Sequence, residues 1–217
     1  MSIPVLYRDS MLIICEKPVG VMSESPGLPD LLQEQFHSKL YPVHRLDQGT
    51  GGVCILAFTP EACSAVQEQF QNHRIHKEYL AVICGRPAED SGTFTDYLYH
   101  DRKLNKSFVV KQKRKGIREA FCEWSVIETS EYHEQVLSLV RVMLHTGRTH
   151  QIRVQFASRG MPLVGDRRYG SRIHAETPAL WACAIVLQHP AENGRSVSAS
   201  SVPYPSFPWN LFSLSTL

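Results

Sequence analysis

Asp47 stands just ahead of three glycines in four residues, in His44-Arg45-Leu46-Asp47-Gln48-Gly49-Thr50-Gly51-Gly52, and the apolar run Val53-Cys54-Ile55-Leu56-Ala57-Phe58 follows. This reads as a tight loop feeding a buried strand, so backbone geometry fixes the carboxylate. Two readings compete on spacing alone. In one, Asp47 caps a backbone amide in an Asx-type turn. In the other, an acid is presented for chemistry, with Arg45 two residues before it. Three further stretches stand out. Lys77-Glu78-Tyr79-Leu80-Ala81-Val82-Ile83-Cys84-Gly85 places an aromatic hydroxyl, Tyr79, near the start of a strand-like run. Arg102 to Arg118 is densely basic. His145-Thr146-Gly147-Arg148-Thr149-His150-Gln151-Ile152-Arg153 continues to Pro162-Leu163-Val164-Gly165-Asp166 and Tyr169-Gly170.

The elements that must position these residues are mostly strands: Val5 to Tyr7, Leu12 to Cys15, Val53 to Phe58, Tyr79 to Cys84, Phe108 to Lys111, Ala120 to Ile127, Val136 to Leu144 and Ala182 to Leu187. Val126-Ile127 and Val136 to Leu144 flank a polar stretch, Glu128 to Gln135, as in a hairpin. Many strands follow one another directly, which favours a largely antiparallel sheet and an α+β fold. Three helices are expected. Leu28 to Phe36 follows Pro26-Gly27. Pro60 to about Asn72 has Thr59 as N-cap, Pro60 in the first turn and Glu61 at the positive end of the dipole. The third runs from about Arg148 to Ser158 with Gly160 as its stop. Ile152 and Phe156 point to the core there, and Arg153 beside them can reach inward. The tail after Pro190, rich in Ser and Pro, reads as irregular.

The 217 residues suffice for one large domain or two small ones, and no apolar run approaches the roughly 18 residues that span a bilayer. Arg8, Asp9, Glu16 and Lys17 interrupt any signal-peptide core, so a cytoplasmic protein is expected. The six cysteines are scattered, form no C-x-x-C pair, and read as reduced, buried small hydrophobes. The net charge of +2 hides an asymmetry. Arg102 to Arg118 has eight Lys or Arg and no acid, and Arg141 to Arg172 has seven Arg and a single acid, Asp166. Two such windows attract polyanions and point to nucleic acid, ahead of membrane. His73 with His76 and His145 with His150 invite a metal reading, but neither pair comes with a familiar ligand spacing, so no metal is expected.

In combination and in this order, the four stretches resemble the RluA type of pseudouridine synthase. That family's H-R-L-D-x-x-T-S-G block followed by an apolar strand matches 44–58, K-x-Y-x-A-x-V-x-G matches 77–85 with Ile83 for the Val, and T-G-R-T-H-Q-I-R followed by G-x-P-[IL]-x-G-D-x-x-Y-G matches 146–153 and 160–170. Lys17-Pro18-Val19-Gly20 also resembles the family's opening, and the similarity runs from about residue 4 to residue 190. Three departures stand out. Gly51 replaces the usual Ser, which removes a hydroxyl and is expected to loosen the loop. Gln155 and Trp181 stand where many members carry His. Larger members carry an S4-type RNA-binding module ahead of the catalytic blocks, and none is expected here.

The resemblance implies the family's catalytic fold as a single domain over 1–217: a mixed, largely antiparallel bent sheet flanked by helices. It also implies isomerisation of a flipped-out uridine to pseudouridine in structured ribosomal or transfer RNA, with no cofactor. Asp47 would be the nucleophile or charge stabiliser, acting on the sugar C1′ or the base C6. Burial disfavours an ionised carboxylate, so a cation is needed nearby, and Arg153 is the candidate. Tyr79 would stack on the uracil with its hydroxyl near the sugar. Arg45 would face the RNA, and Arg148 is a further RNA contact. Lys103, Lys106, Lys111, Lys113, Arg114 and Lys115 would grip phosphates of a stem-loop, which gives affinity without sequence information. The expected partner is RNA, with no membrane, no nucleotide cofactor and a monomeric protein. A catalytically silent RNA-binding protein of the same fold and a metal-dependent hydrolase are the rival readings.

Overall fold

The computed structural model describes residues 2–192 and 194–214. In chain order the elements are β1 (Val5–Arg8), β2 (Leu12–Lys17), α1 (Leu28–Phe36), β3 (Tyr41–Pro42), β4 (Gly51–Ala57), α2 (Pro60–Gln71), β5 (His76–Cys84), β6 (Ser91–Asp101), β7 (Lys106–Val110), β8 (Ile117–Tyr132), β9 (Gln135–Leu144), α3 (Gln151–Ala157), β10 (Leu180–Gln188) and β11 (Ser196–Ser200). The fold is α+β, as expected. The chain divides into two compact units, 1–77 with 181–203 and 78–180 with 204–217.

In the first unit β1 pairs with β2, β2 with β4, and β10 with β11, all antiparallel. β3 adds antiparallel to β4, and β10 joins β4 in parallel through Trp181–Gly51 and Ala182–Gly52. All seven residues of β4 are buried. A strand covered on both faces is apolar throughout instead of alternating, which is why Val53 to Ala57 reads as one continuous run. α2 lays Ala62, Cys63 and Val66 against Leu12, Ile14, Val53 and Ile55. It starts as its sequence dictates. Thr59 Oγ1 accepts the Ala62 N–H at 3.2 Å, and Pro60 follows where an amide would have no partner anyway.

The second unit is an antiparallel sheet in the order β5-β9-β8-β6-β7. One face of it carries α3, with Ile152 and Phe156 among Ala81, Phe94, Trp124, Val140 and Val142. The Phe94 and Phe156 rings meet edge-on, 5.0 Å apart between centroids. A bulge between Val126 and Glu128 interrupts the register of β8 with β9. Bulges of this kind bend the strand that carries them.

Four sequence expectations need correction. The polar stretch 128–135 is not a loop: β8 continues to Tyr132, pairs with Gln135, and turns through His133 and Glu134 alone, both at positive φ. That is the geometry a two-residue hairpin needs. β6 was not expected at all. Its inward positions include Asp96, an acid held by Gln155 and Arg159, so the apolar alternation is broken at its centre. The serine-rich tail is not all irregular, because Ser196–Ser200 pairs with β10. The third helix begins only at Gln151. The Gln151 Oε1 accepts from Thr146 Oγ1 (2.8 Å) and from the Arg148 N–H (3.0 Å), and His150 is left-handed at φ 56°, so 146–150 is a turn.

Candidate active site

In the first unit, Asp47 is half-buried in a turn closed by the Thr50 N–H, which donates to the Asp47 backbone carbonyl at 2.9 Å. The loop is anchored on both sides of Asp47 through its backbone. Ser23 Oγ donates to the Leu46 carbonyl (3.0 Å) and accepts the Leu46 N–H (2.9 Å). The Gln48 carbonyl accepts from the Gly20 N–H (2.9 Å) and from Lys17 Nζ (3.4 Å), while Gln48 Nε2 donates to the Gly20 carbonyl (3.0 Å). Lys17, at the end of β2, is completely buried, and its ammonium also donates to the Pro18 carbonyl (2.8 Å) and the Val21 carbonyl (2.7 Å). Three N–H groups thus meet three carbonyls, the condition under which a buried ammonium keeps its charge. Burial pulls the Lys17 pKa down to about 8, against the opposing pull of the Cys54 thiol and the Asp47 carboxylate. Neither Lys17 nor Ser23 was expected to act on this loop. The signal was a lysine closing an apolar strand just before Pro18 and Gly20.

His44, three residues before Asp47, ties the loop to β4. Its Nε2 accepts the Ile55 N–H at 3.0 Å and its ring stacks on Phe70. Burial, and then the Lys77 charge, push its pKa down to about 3. The unfolded chain takes up a proton near pH 6.5 that the folded imidazole refuses, so the stability supplied by neutral His44 is lost as pH falls from about 6.5 towards 3. The stability gap between the protein and a His44→Gln variant should narrow on acidification through that window, by up to about 1.4 kcal/mol per pH unit. Urea unfolding at several pH values reads this, and a constant gap would contradict it.

Gly51 does not loosen the loop. It is the first, buried residue of β4, and Trp181 on β10 lies directly against it. A Cβ on Gly51 would come within 2.8 Å of the indole Cε3 and 2.9 Å of the Val19 Cγ2. The indole fills the space that a side chain would occupy, and its Nε1 donates to Ser201 Oγ at 3.3 Å. Gly51→Ser should therefore cost about 1–3 kcal/mol by overpacking. Pairing it with Trp181→His should return part of that loss in a double-mutant cycle followed by thermal melting. Additive losses would mean the two residues are not packed as described. Arg45, by contrast, is exposed and makes a long ion pair with Glu24, 3.5 Å apart and open to solvent.

In the second unit, Arg153 is buried and paired in a two-pronged bond with Asp166, Nε to Oδ2 at 2.6 Å and Nη2 to Oδ1 at 3.0 Å. Its inward reach agrees with the sequence reading, and the bond to Asp166 adds a partner that the sequence reading lacks. The signal was present, since Asp166 is the single acid among seven arginines in that window. The Arg153 guanidinium lies 5.2 Å from the centre of the Tyr169 ring, and Lys106 Nζ lies 5.4 Å from it. Two candidates far apart in sequence are thus brought together on one tyrosine. The Tyr169 hydroxyl accepts the Ser107 N–H (2.8 Å) and meets His150 Nδ1 (3.0 Å). Tyr79 is half-buried on β5 opposite Val142, packed against the sheet core. Arg148 is half-buried with Nε donating to the Glu119 carbonyl at 2.8 Å. Lys103, Lys111, Lys113, Arg114 and Lys115 are exposed.

The other departures are structural. Gln155 is completely buried; its amide donates to Asp96 Oδ2 (2.8 Å) and its Oε1 accepts from the Cys122 thiol (3.4 Å), binding α3 to β6 and β8. His145 pairs with Glu123 at 2.7 Å. Among the described residues no group of three or more His, Cys, Asp or Glu could hold a metal ion.

This architecture is the catalytic fold of the pseudouridylate synthases. The solved structure of human RNA pseudouridylate synthase domain containing 1 superposes with a TM-score of 0.80 at 23% identity, covering 95% of this chain and 85% of that one. The chain belongs to the RNA pseudouridylate synthase family, whose model matches residues 11–158. An uncharacterised RNA pseudouridine synthase of Aquifex aeolicus is 35% identical over 184 residues, 78% of this chain and 57% of the relative. The tRNA pseudouridine synthase C of Haemophilus ducreyi is 31% identical over 185 residues, 78% of this chain and 75% of the relative. The chain thus spans little more than half the length of the Aquifex protein.

Proposed function

We propose that this protein isomerises uridine to pseudouridine in RNA, with Asp47 as the residue that acts on the nucleoside. The observation that carries this reading is an Asp placed as in the family's first block, on a loop whose neighbouring peptides are fixed by Lys17, Ser23 and Gly20. A carboxylate on a preset backbone meets the requirement for attack, since misplacement of a reacting group by an ångström is costly. In the reaction the N1–C1′ bond breaks, a C5–C1′ bond forms, the C5 proton leaves and N1 takes up a proton, so product and substrate are isomers. No redox or nucleotide cofactor is required for that balance. Asp47 serves as nucleophile, at C1′ or C6, or as the charge that stabilises the separated sugar.

Tyr79 and Arg153 take part in the same reaction in this reading. Support comes from their places in the matched blocks and from the burial of Arg153. Arg45, solvent-facing, is assigned to the RNA, as are Arg148, Lys106 and the basic residues 103–115. The relative named for tRNA makes transfer RNA the first substrate to try, with ribosomal RNA second. We further assign the activity to the cytoplasm, on the six free cysteines, and take the acting species to be a monomer. Release of tritium from [5-³H]uridine-labelled RNA tests the reading. Label released from at least one cellular RNA supports it. Tight RNA binding with no release from any RNA fraction would leave the silent RNA-binding protein in its place.

A further inference from the structure

The two sides of the β6–β7 hairpin differ. Inward, Leu98 packs with Ala120 and Val154, and Ser107 is bonded through its N–H to Tyr169 Oη and through its Oγ to the Thr149 carbonyl (2.6 Å). At the tip, Asp101 Oδ1 accepts the N–H groups of Lys103 (2.9 Å) and Leu104 (3.1 Å). Arg168 Nη1 donates to the carbonyls of Leu104 (2.8 Å) and Asn105 (3.1 Å). These bonds give the hairpin one fixed shape. Outward, the register sets Ile117, Tyr99 and Phe108 in a single row across β8, β6 and β7. Tyr99 is 44% exposed and Phe108 37%, with Leu104 at 59% on the tip. Two aromatic residues side by side on a rigid sheet thus each leave more than a third of their surface open to solvent. Cations surround them. Lys106 Nζ already sits 5.6 Å from the Phe108 ring, and the exposed run Lys111 to Lys115 leaves β7 directly. Of the nearby acids, Asp101 is spent on the tip, and Glu119 lies one row along β8.

We propose that this outer face is a stacking platform for unpaired bases of an RNA, with Tyr99 and Phe108 as the stacking surfaces and Lys106 and the 111–115 loop on the backbone phosphates. The inference rests on the RNA reading above and extends it to the strand that flanks the reacting uridine. Aromatic faces set among cations bind single strands of any sequence, because every base offers a π-face. A duplex hides those faces and would meet only the charges.

The test is the affinity, by fluorescence anisotropy, for a short uridine-rich single strand and for a short fully paired RNA. Tyr99→Leu and Phe108→Leu keep an apolar cross-strand pair, and melting curves verify that they fold. Tyr99→Phe keeps the ring. Each Leu variant should lose about 5- to 100-fold on the single strand, the loss of one base–aromatic stack, with little change on the duplex. The salt dependence should stay as it was, because no charge is removed, and Tyr99→Phe should bind as the parent does. Lys113→Ala should do the opposite, weakening both probes and flattening the salt dependence. Unchanged single-strand affinity in both Leu variants overturns the platform, as does an equal loss on the duplex. Binding to vesicles of anionic phospholipid is measured beside the two RNAs, and a loss confined to the vesicles also overturns the platform and assigns the face to a membrane. A protein that releases tritium from RNA yet ignores these changes loses only the platform. A protein that binds neither probe and releases no tritium from any RNA loses the RNA reading with it.

Discussion

Asp47→Asn is expected to lower tritium release by on the order of 10⁴-fold or more, the scale on which removal of an attacking group is felt. RNA affinity should survive. The amide matches the carboxylate in shape, and the anchors described for this loop act on the peptides of Leu46 and Gln48. Melting temperature and anisotropy with labelled RNA provide the controls. Isomerisation retained in a folded Asn variant would remove Asp47 from the reaction.

The second large effect concerns stability. Asp166→Ala removes from the buried Arg153 guanidinium a carboxylate that holds it through two bonds. The side chains are 9% and 1% exposed, so water cannot take over. Breaking a buried pair from one side costs about 3–5 kcal/mol, whereas replacing both partners by apolar groups of similar volume is often close to neutral. Asp166→Ala should therefore unfold at much lower urea concentration than the parent. Arg153→Met with Asp166→Leu should recover most of the loss. If Arg153 also serves the reaction, the double variant should be stable and still fail to release tritium. Stability and turnover recovering together would make the pair purely structural.

Local signals carried the sequence reading where they were strong. Thr59, Pro60 and Glu61 start α2 by rules that need no tertiary information, and β4 is legible because burial on both faces leaves a continuous apolar run. Readings failed where a distant partner decides the structure. Asp96 makes β6 look polar, yet Gln155 and Arg159 satisfy it from α3 and its C-terminal flank. The turn at His133–Glu134 lacks the glycine or asparagine that normally announces it. At the site, the position of Asp47 in a glycine-rich loop was readable, because that information is local. The hold on the loop was not, because Lys17 and Ser23 reach it across about thirty and twenty-three positions. The helical neighbours of Arg153 show that it faces inward, while Asp166, which it grips, lies thirteen residues on, beyond the range of helical spacing.

The packing of Trp181 on Gly51 also constrains the route by which this pair could have arisen. Starting from the Ser and His that the resemblance implies at these positions, exchange of Ser for Gly first leaves an empty space, a modest and survivable loss. Exchange of His for Trp first drives an indole into an occupied position. Descent through the glycine intermediate is thus the accessible history. Among relatives, glycine paired with a small or imidazole partner should occur, and serine facing tryptophan should not.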